Sequence, residues 1–383
     1  MNRLNQLTEI HQSGKPYIIY KSKKGFNLYT NFSKKIILNN KNIKSFLTKK
    51  NKKKSKDTDL FIGFFGYELL NNLIDVKIPK QKNLNFPKGI FYKPEKKIKL
   101  SNKLNYDFEN FKSGNFKINI NRKNYTKIFN KFKKKIKSGE TYQIKICTKY
   151  KTKSKINPLD FFSRLSNTNL APEAFMIKDH NYSIISCSPE TLITKKGSDI
   201  STKPIAGTVK KTKQLNKIKA LNYFRKNLKE TKEHNMIVDM ERNDLSRICK
   251  VGTVKLSKQK IVEEYKDLFH YVSLIKGKLK KNINNFEIIK AMMPGGSVIG
   301  CPKINTLNLL NNQEKENRNI YTGSFGYIKF NGDMRFNIII RSILNFKNIS
   351  EISVASGVVV DSNANHEFNE NFLKAKALID LFK

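Results

Sequence analysis

The chain contains no tryptophan, only four cysteines, and only nine arginines among its 75 basic residues. Cys147, Cys187, Cys249 and Cys301 lie far apart and form no CxxC pair. That spacing argues against a disulfide framework or a zinc site and leaves them as core thiols. No run of about 20 apolar residues occurs, so no transmembrane helix is expected. The first twenty residues, "MNRLNQLTEIHQSGKPYIIY", lack the apolar core and cleavage site of a signal peptide. Cytoplasm is therefore the expected location. Neither a G-x-G-x-x-G after a strand nor a Walker loop is present, which removes support for a nucleotide cofactor.

Acidic residues are also scarce: 31 against 75 basic, for a formal net charge of +44. Such basicity raises the question of nucleic acid or an anionic membrane. Lysine, however, is spread over the whole length, and Asn, Ile and Phe are abundant with it. This is what a coding sequence drawn toward A and T produces, with lysine filling tolerant surface positions. No nucleic-acid or membrane partner is expected. The densest run, "TKKNKKKSKD" (48–57), reads as an exposed loop.

What is present is a chain of 383 residues, 38% hydrophobic and 28% charged, long enough for a sizeable core. Helical periodicity is expected over 125–139, 157–167, 217–240, 286–293, 303–313 and 365–382. Alternating or continuous apolar runs predict strands at 17–20, 35–38 and 140–153, in "EAFMIKD" and "YSIISCS", and on both sides of a turn in 251–279. Residues 320–347 and 350–360 read as three strands. "DLFIGFFGYELL" (59–70) is a compact apolar segment. Strands and helices come in runs rather than in strict alternation, which favours an α+β fold.

Against this basic background the stretch "TKEHNMIVDMERNDL" (231–245) is anomalous. Glu233, Asp239, Glu241 and Asp244 are interleaved with Met236, Ile237, Met240 and Leu245 at helical spacing, and unpaired charge on a half-buried helix is costly. Glu367 and Glu370, three apart in "NANHEFNENFLKAKALI", share one face of another helix. A solvated first turn, where acids favour the helix dipole, accounts for that pair. Two or three carboxylates brought together could instead hold Mg²⁺, a hard cation that keeps places for water and substrate. Glu190, in "SCSPETL", ends an apolar strand where desolvation could raise its pKa and make it a general acid. "MMPGGSVIGCPK" and "ASGVVVDS" are glycine turns whose N–H groups can bind a carboxylate or merely reverse the chain. Arg341 ends the strand "RFNIIIR" and can clamp a carboxylate or form a buried ion pair with one of these acids. Lys374 lies one turn beyond Glu370.

Taken in order, "SGETYQIKI", "SPETL", "KPIAGT", "KEHNMIVDMERNDLSRI", "HYVSLIKGKL", "PGGSVIGCPK", "IYTGSFGYIKFNGDMRFNIIIRS", "SGVVVDS" and "HEFNENFLKAKAL" resemble the chorismate-utilising enzymes. That group includes component I of anthranilate synthase and of aminodeoxychorismate synthase, and the isochorismate and salicylate synthases. The resemblance covers residues 121–383 as a catalytic region. Residues 1–115, with "GFFGYEL", form an N-terminal part of the same fold. It implies two sheet-and-helix halves around a central active site. By resemblance, Glu233, Glu367 and Glu370 are Mg²⁺ ligands and Glu190 is the acid that assists departure of the C4 hydroxyl. Arg341, Lys374, Tyr321 and the backbone at Gly357 grip substrate carboxylates, Ala206, Gly207 and Thr208 border the substrate, and His270 lines the pocket.

Gln143 stands where the isochorismate and salicylate synthases resemble one another in having a lysine that activates water. Glutamine is no base at neutral pH, so the implied nucleophile is ammonia, supplied by a separate glutamine amidotransferase subunit. Ala206 replaces a lysine found in many aminodeoxychorismate synthases, as in anthranilate synthases. "PGGS", "YTGSFGY" and the missing "LLES" segment resemble the aminodeoxychorismate branch, which is the reading favoured here. Val209, Ile299, Cys301 and Ala355 depart from the family pattern.

Overall fold

The computed structural model describes residues 3–49, 56–76, 85–104, 106, 114–168, 171–265 and 268–383. Most of the lysine-rich run at 48–57 lies outside them. The strands form one antiparallel ladder. It starts at Lys255–Glu264 and passes in turn to Leu268–Lys278, Asp199–Lys203, Thr191–Lys196, Met334–Asn337, Ser324–Lys329, Leu60–Phe65 and Gly89–Leu100. From there it continues through Gly25–Ile37, Tyr17–Ser22, Glu173–Lys178, Tyr182–Ser188, Ser342–Phe346 and Ile349–Val358 to Gln143–Lys153.

The ladder folds back on itself, and strand parity records how. In Tyr17–Ser22, Ile18 and Tyr20 join an inner cluster with Ile62, Phe64, Ile184 and Phe325, while Tyr17 and Ile19 join an outer one with Leu28, Ile185 and Ile352. In Leu60–Phe65, Ile62 and Phe64 point inward while Phe61 and Phe65 point to a second outer cluster containing Leu192, Ile275 and Phe336. Two sheet regions therefore face each other, tied by the stacked rings of Phe175 and Phe325, 3.7 Å between centroids. Helices cover both outer faces. Strands buried on both sides read as continuous apolar runs rather than alternating ones. Each fully buried Ile or Phe contributes about 1.5–3 kcal/mol. These two helix-covered halves are the α+β arrangement expected from the sequence.

Asparagine starts many of the helices. Asn121, Asn216, Asn227, Asn284 and Asn363 each accept a backbone N–H from the first turn, the bond that a good N-cap supplies. Asn227 also corrects the helix expected over 217–240. It ends one helix, Lys217–Lys226, and caps the next, Leu228–Ile248. The segment expected to form three strands at 320–360 forms four, because Asn331 and Gly332 turn the chain between Ser324–Lys329 and Met334–Asn337.

Candidate active site

The two ends of the ladder meet at the Leu228–Ile248 helix. Strand Gln143–Lys153 comes from one end and Leu268–Lys278, which packs on the helix, from the other. Gln143 and Lys145, two apart on a strand and so on one face, both donate to Glu233 Oε1, at 2.7 Å and 2.8 Å. Two glycines allow this. Gly357 pairs with Lys145 in the ladder, and a Cβ there would lie 2.7 Å from both Gln143 Nε2 and Lys145 Nζ. Gly300, at φ +134, lies so close that a Cβ would sit 2.0 Å from the Gln143 carbonyl. Beneath the strand, fully buried Arg318 donates to the Lys145 carbonyl at 3.1 Å while paired to Glu314, which fixes the backbone carrying both side chains.

The last helix, Ala364–Ile379, contributes Glu367, Glu370 and Lys374. Glu367 is buried, and its carbonyl accepts from Ser356 Oγ at 3.0 Å. Lys374 Nζ pairs with Glu370 Oε1 at 2.6 Å and donates to the Ala355 carbonyl at 3.0 Å. Donor atoms of His366, Glu367 and Glu370 lie within 4.8 Å of one another. His366 was not foreseen, and Glu233 stands outside that trio with its carboxylate on Lys145. The three acids still share one field. The charge of Lys145 acts on Glu233, Glu370 and Glu367 together. Its attraction for Lys145 outweighs the penalty of burial and holds Glu233 down to about 2. Lys145 itself is raised, because these carboxylates more than offset its desolvation.

Glu190 is a carboxylate of a different kind. It is buried at the end of the Tyr182–Ser188 strand, and its Oε1 accepts from Ser297 Oγ at 2.7 Å. Desolvation pushes its pKa up to about 7, opposed by Ser297 and by the charge of Lys145. Ser297 lies in the short 3₁₀ turn Gly296–Val298 of the "PGGS" segment. Glu190 is thus poised to hold or release a proton near neutral pH, and it feels the same ammonium that holds Glu233 ionised.

On the other side, His270 Nδ1 meets Thr208 Oγ1 at 2.8 Å, and these two residues are register partners across Ile205–Lys210 and Leu268–Lys278. Ala206 and Gly207 lie in the same short strand. Burial, then the neighbouring Arg341, lowers His270 to about 4, so the ring is neutral at pH 7. Arg341 does not end a strand as expected. It sits between Met334–Asn337 and Ser342–Phe346 at φ +50, its carbonyl accepting from Cys187 N at 3.2 Å. It forms no ion pair with a carboxylate among the described residues, and desolvation lowers its pKa. Tyr321 packs with Cys147, Ala355 and Ile340. The departures at 299, 301 and 355 are absorbed by packing: Ile299 lies in the core with Ile144 and Val358, Cys301 pairs with Gln143, and Ala355 lies against Tyr321.

Lys145 and Ser297 were not singled out in the sequence. Strand parity with Gln143 was the available signal for the first. Nothing local marks the second beyond its place in a glycine turn.

The comparisons agree with this architecture. The chain matches the family described as chorismate binding enzyme over residues 10–380. It is 34% identical over 267 residues to aminodeoxychorismate synthase component 1 of Bacillus subtilis, covering 70% of this chain and 57% of that protein. It is 36% identical over 263 residues to anthranilate synthase component 1 of Arthrobacter globiformis, covering 67% and 50%. The matched part thus spans about half the length of these two relatives. Anthranilate synthase component I from Streptococcus pneumoniae superposes with a TM-score of 0.77 at 25% identity, over 95% of this chain and 92% of that one. The match runs nearly end to end and carries both the ladder and the residues gathered where its ends meet: this chain belongs to the chorismate binding enzyme family.

Proposed function

We propose that this protein aminates chorismate to 4-amino-4-deoxychorismate, using ammonia delivered by a glutamine amidotransferase partner and Mg²⁺ held by Glu233, Glu367 and Glu370. The observation that carries the reading is the division of charge around the site. The site combines a Glu190 poised near neutrality, an ionised Glu233 and an Arg341 that pairs with no carboxylate among the described residues. An uncompensated guanidinium is costly unless an anion arrives to meet it. A dicarboxylate such as chorismate supplies one carboxylate there and a second toward the other end.

The donor set fits the metal. Carboxylate oxygens suit Mg²⁺, and the Gln143 Oε1, buried with no hydrogen-bond partner among the described residues, points to a polar occupant nearby. When bound, the ion would neutralise the carboxylate group and anchor a carboxylate of the substrate. The protein's own residues do the rest. Arg341 and Lys374 orient the substrate, and neutral His270 with Thr208 lines the ring face. Glu190 donates its proton to the C4 hydroxyl, which departs as water. Ammonia contributes the lone pair of the new C–N bond, and the resulting ammonium returns a proton to the Glu190 carboxylate.

Water is disfavoured as the nucleophile because the nitrogen groups that contact Glu233 are not bases. Gln143 is an amide, and Lys145 is held protonated by its carboxylates. The 34% identity to an aminodeoxychorismate synthase component supports the product assignment. A second reading, anthranilate with release of pyruvate, is supported by the 36% identity to an anthranilate synthase component and by Ala206. Purified protein with chorismate, Mg²⁺ and ammonium, with products resolved by chromatography and mass, separates the two. A product retaining the enolpyruvyl group, converted to 4-aminobenzoate by an added lyase, is expected. Anthranilate with pyruvate would replace the first reading by the second.

A further inference from the structure

Lys145 is used by no step above, yet it lies at the centre of the site. Its ammonium is 2.8 Å from Glu233 Oε1, side chain 12% exposed, on a strand held from below by Arg318 and laid across Gly357, where any side chain would collide with it. Groups facing it from every packed element are Gln143 on its own strand, Glu233 on the Leu228–Ile248 helix, and Glu367, Glu370 and Lys374 on the last helix. Glu190, from the opposite side, feels the same charge. Among the described residues facing this group the cations are Lys145 and Lys374, and Lys374 contacts Glu370 and the Ala355 carbonyl rather than Glu233.

We propose that Lys145 is the resident cation of this carboxylate group, occupying Glu233 until a divalent ion displaces it, and that the displaced ammonium then turns toward the anionic substrate. This rests on the reading of Glu233, Glu367 and Glu370 as a metal site. Two cations cannot both bind Glu233 Oε1 at full strength, so the ion must compete with a tethered ammonium already in place. A lysine suits this role: its charge is compact, its stem is flexible, and it swings without leaving the site. The arrangement keeps the carboxylates neutralised before metal arrives. It also links metal entry to the appearance of a free positive charge where a dicarboxylate needs one. Lys145 is thus a positioning residue that sets metal affinity and couples it to substrate.

The test is direct binding of Mn²⁺ to the full chain at pH 7, followed by the electron paramagnetic resonance of the free ion and by calorimetry, without turnover. Lys145→Met should bind Mn²⁺ about tenfold or more tightly than the unaltered protein, since a like charge is removed at contact distance. It should also lose most of the gain in Mn²⁺ affinity that chorismate produces in the unaltered protein. Lys145→Gln, which retains a polar group over Gly357, should tighten binding in the same direction, and thermal melts establish that both variants are folded. Glu370→Gln and Glu233→Gln should weaken Mn²⁺ binding. If those two weaken it while both Lys145 variants bind no more tightly than the unaltered protein, the role of Lys145 is overturned and the metal site stands. If the glutamate variants leave Mn²⁺ binding unchanged, the metal site falls and this inference falls with it.

Discussion

Glu233 and Glu241 lie two turns apart on one helix of the same protein, and they have opposite charge states. Glu233 touches Lys145 and is held down to about 2. Glu241 is fully buried and, among the described residues, accepts only from Thr202 Oγ1 at 3.1 Å on one oxygen and has no hydrogen-bond partner on the other. Desolvation, then the charge of Asp244, pushes it up to about 8 despite nearby Lys303. Asp244, one turn on, takes the Lys303 ammonium for itself. The difference is neither residue type nor helix position but which strand or helix brings a cation within contact. Glu233, at the end of the helix that meets the ladder, is ionised and partly exposed. The other end is a sealed anchor. Glu190 follows the Glu241 rule, and that is what would equip it to donate a proton in the proposed reaction.

The comparison is broken most severely at Glu190. Glu190→Gln should lower kcat about 10³-fold, within the range of a lost general acid, with the melting temperature at pH 6 unchanged. In the unaltered enzyme, assayed at fixed free ammonia, the rate should fall roughly tenfold per pH unit above about pH 7, as the carboxyl ionises. A flat profile there would show that another group gives the proton. At the sealed end, Lys303→Met leaves Asp244 as a buried, unpaired charge. It should destabilise the fold by about 3–5 kcal/mol, read by urea unfolding, with little change in KM for the protein that remains folded.

Smaller effects sharpen the contrast. Ser297→Ala removes the hydrogen bond that opposes the upward shift of Glu190. The alkaline limb of the rate profile should then move to higher pH, at a stability cost of about 1 kcal/mol. Glu241→Gln should be nearly neutral at pH 6, within about 1 kcal/mol, and protective when alkaline. The sign follows from the raised pKa. A carboxyl whose folded pKa lies above its unfolded one contributes stability fully below the unfolded value and loses it as pH rises through about 8. The melting temperature of the unaltered protein should therefore drop between pH 6 and pH 9, and Glu241→Gln should drop less. An equal drop in both would place the alkaline sensitivity elsewhere.

Much of the site could be read from the chain because its parts are locally periodic. Glu367, Glu370 and Lys374 follow helical spacing, and Glu190 closes an apolar strand at a Ser-Pro turn. Lys145 was hidden by its surroundings: in a chain with lysine everywhere, one more in "YQIKICTKYK" carries no signal unless strand parity with Gln143 is applied. Arg341 was misplaced for a related reason. The residues 338–340 before it are three isoleucines, so nothing in them shows that pairing stops at Asn337 and that the arginine turns through a positive φ. Asn227 was read as helix interior because its neighbours keep the period on both sides. The break is marked by the extended backbone of Asn227, at ψ 96, and by the bond from Glu230 N to its side chain.

By itself the sequence determined the α+β class, the family motifs and which acids share a helical face, because these depend on residue spacing along one element. Tertiary structure alone decided which of those acids is charged. A carboxyl's ionisation depends on what desolvates it and which cation reaches it. Here Lys145 approaches Glu233 across 88 residues of chain and Ser297 approaches Glu190 across 107.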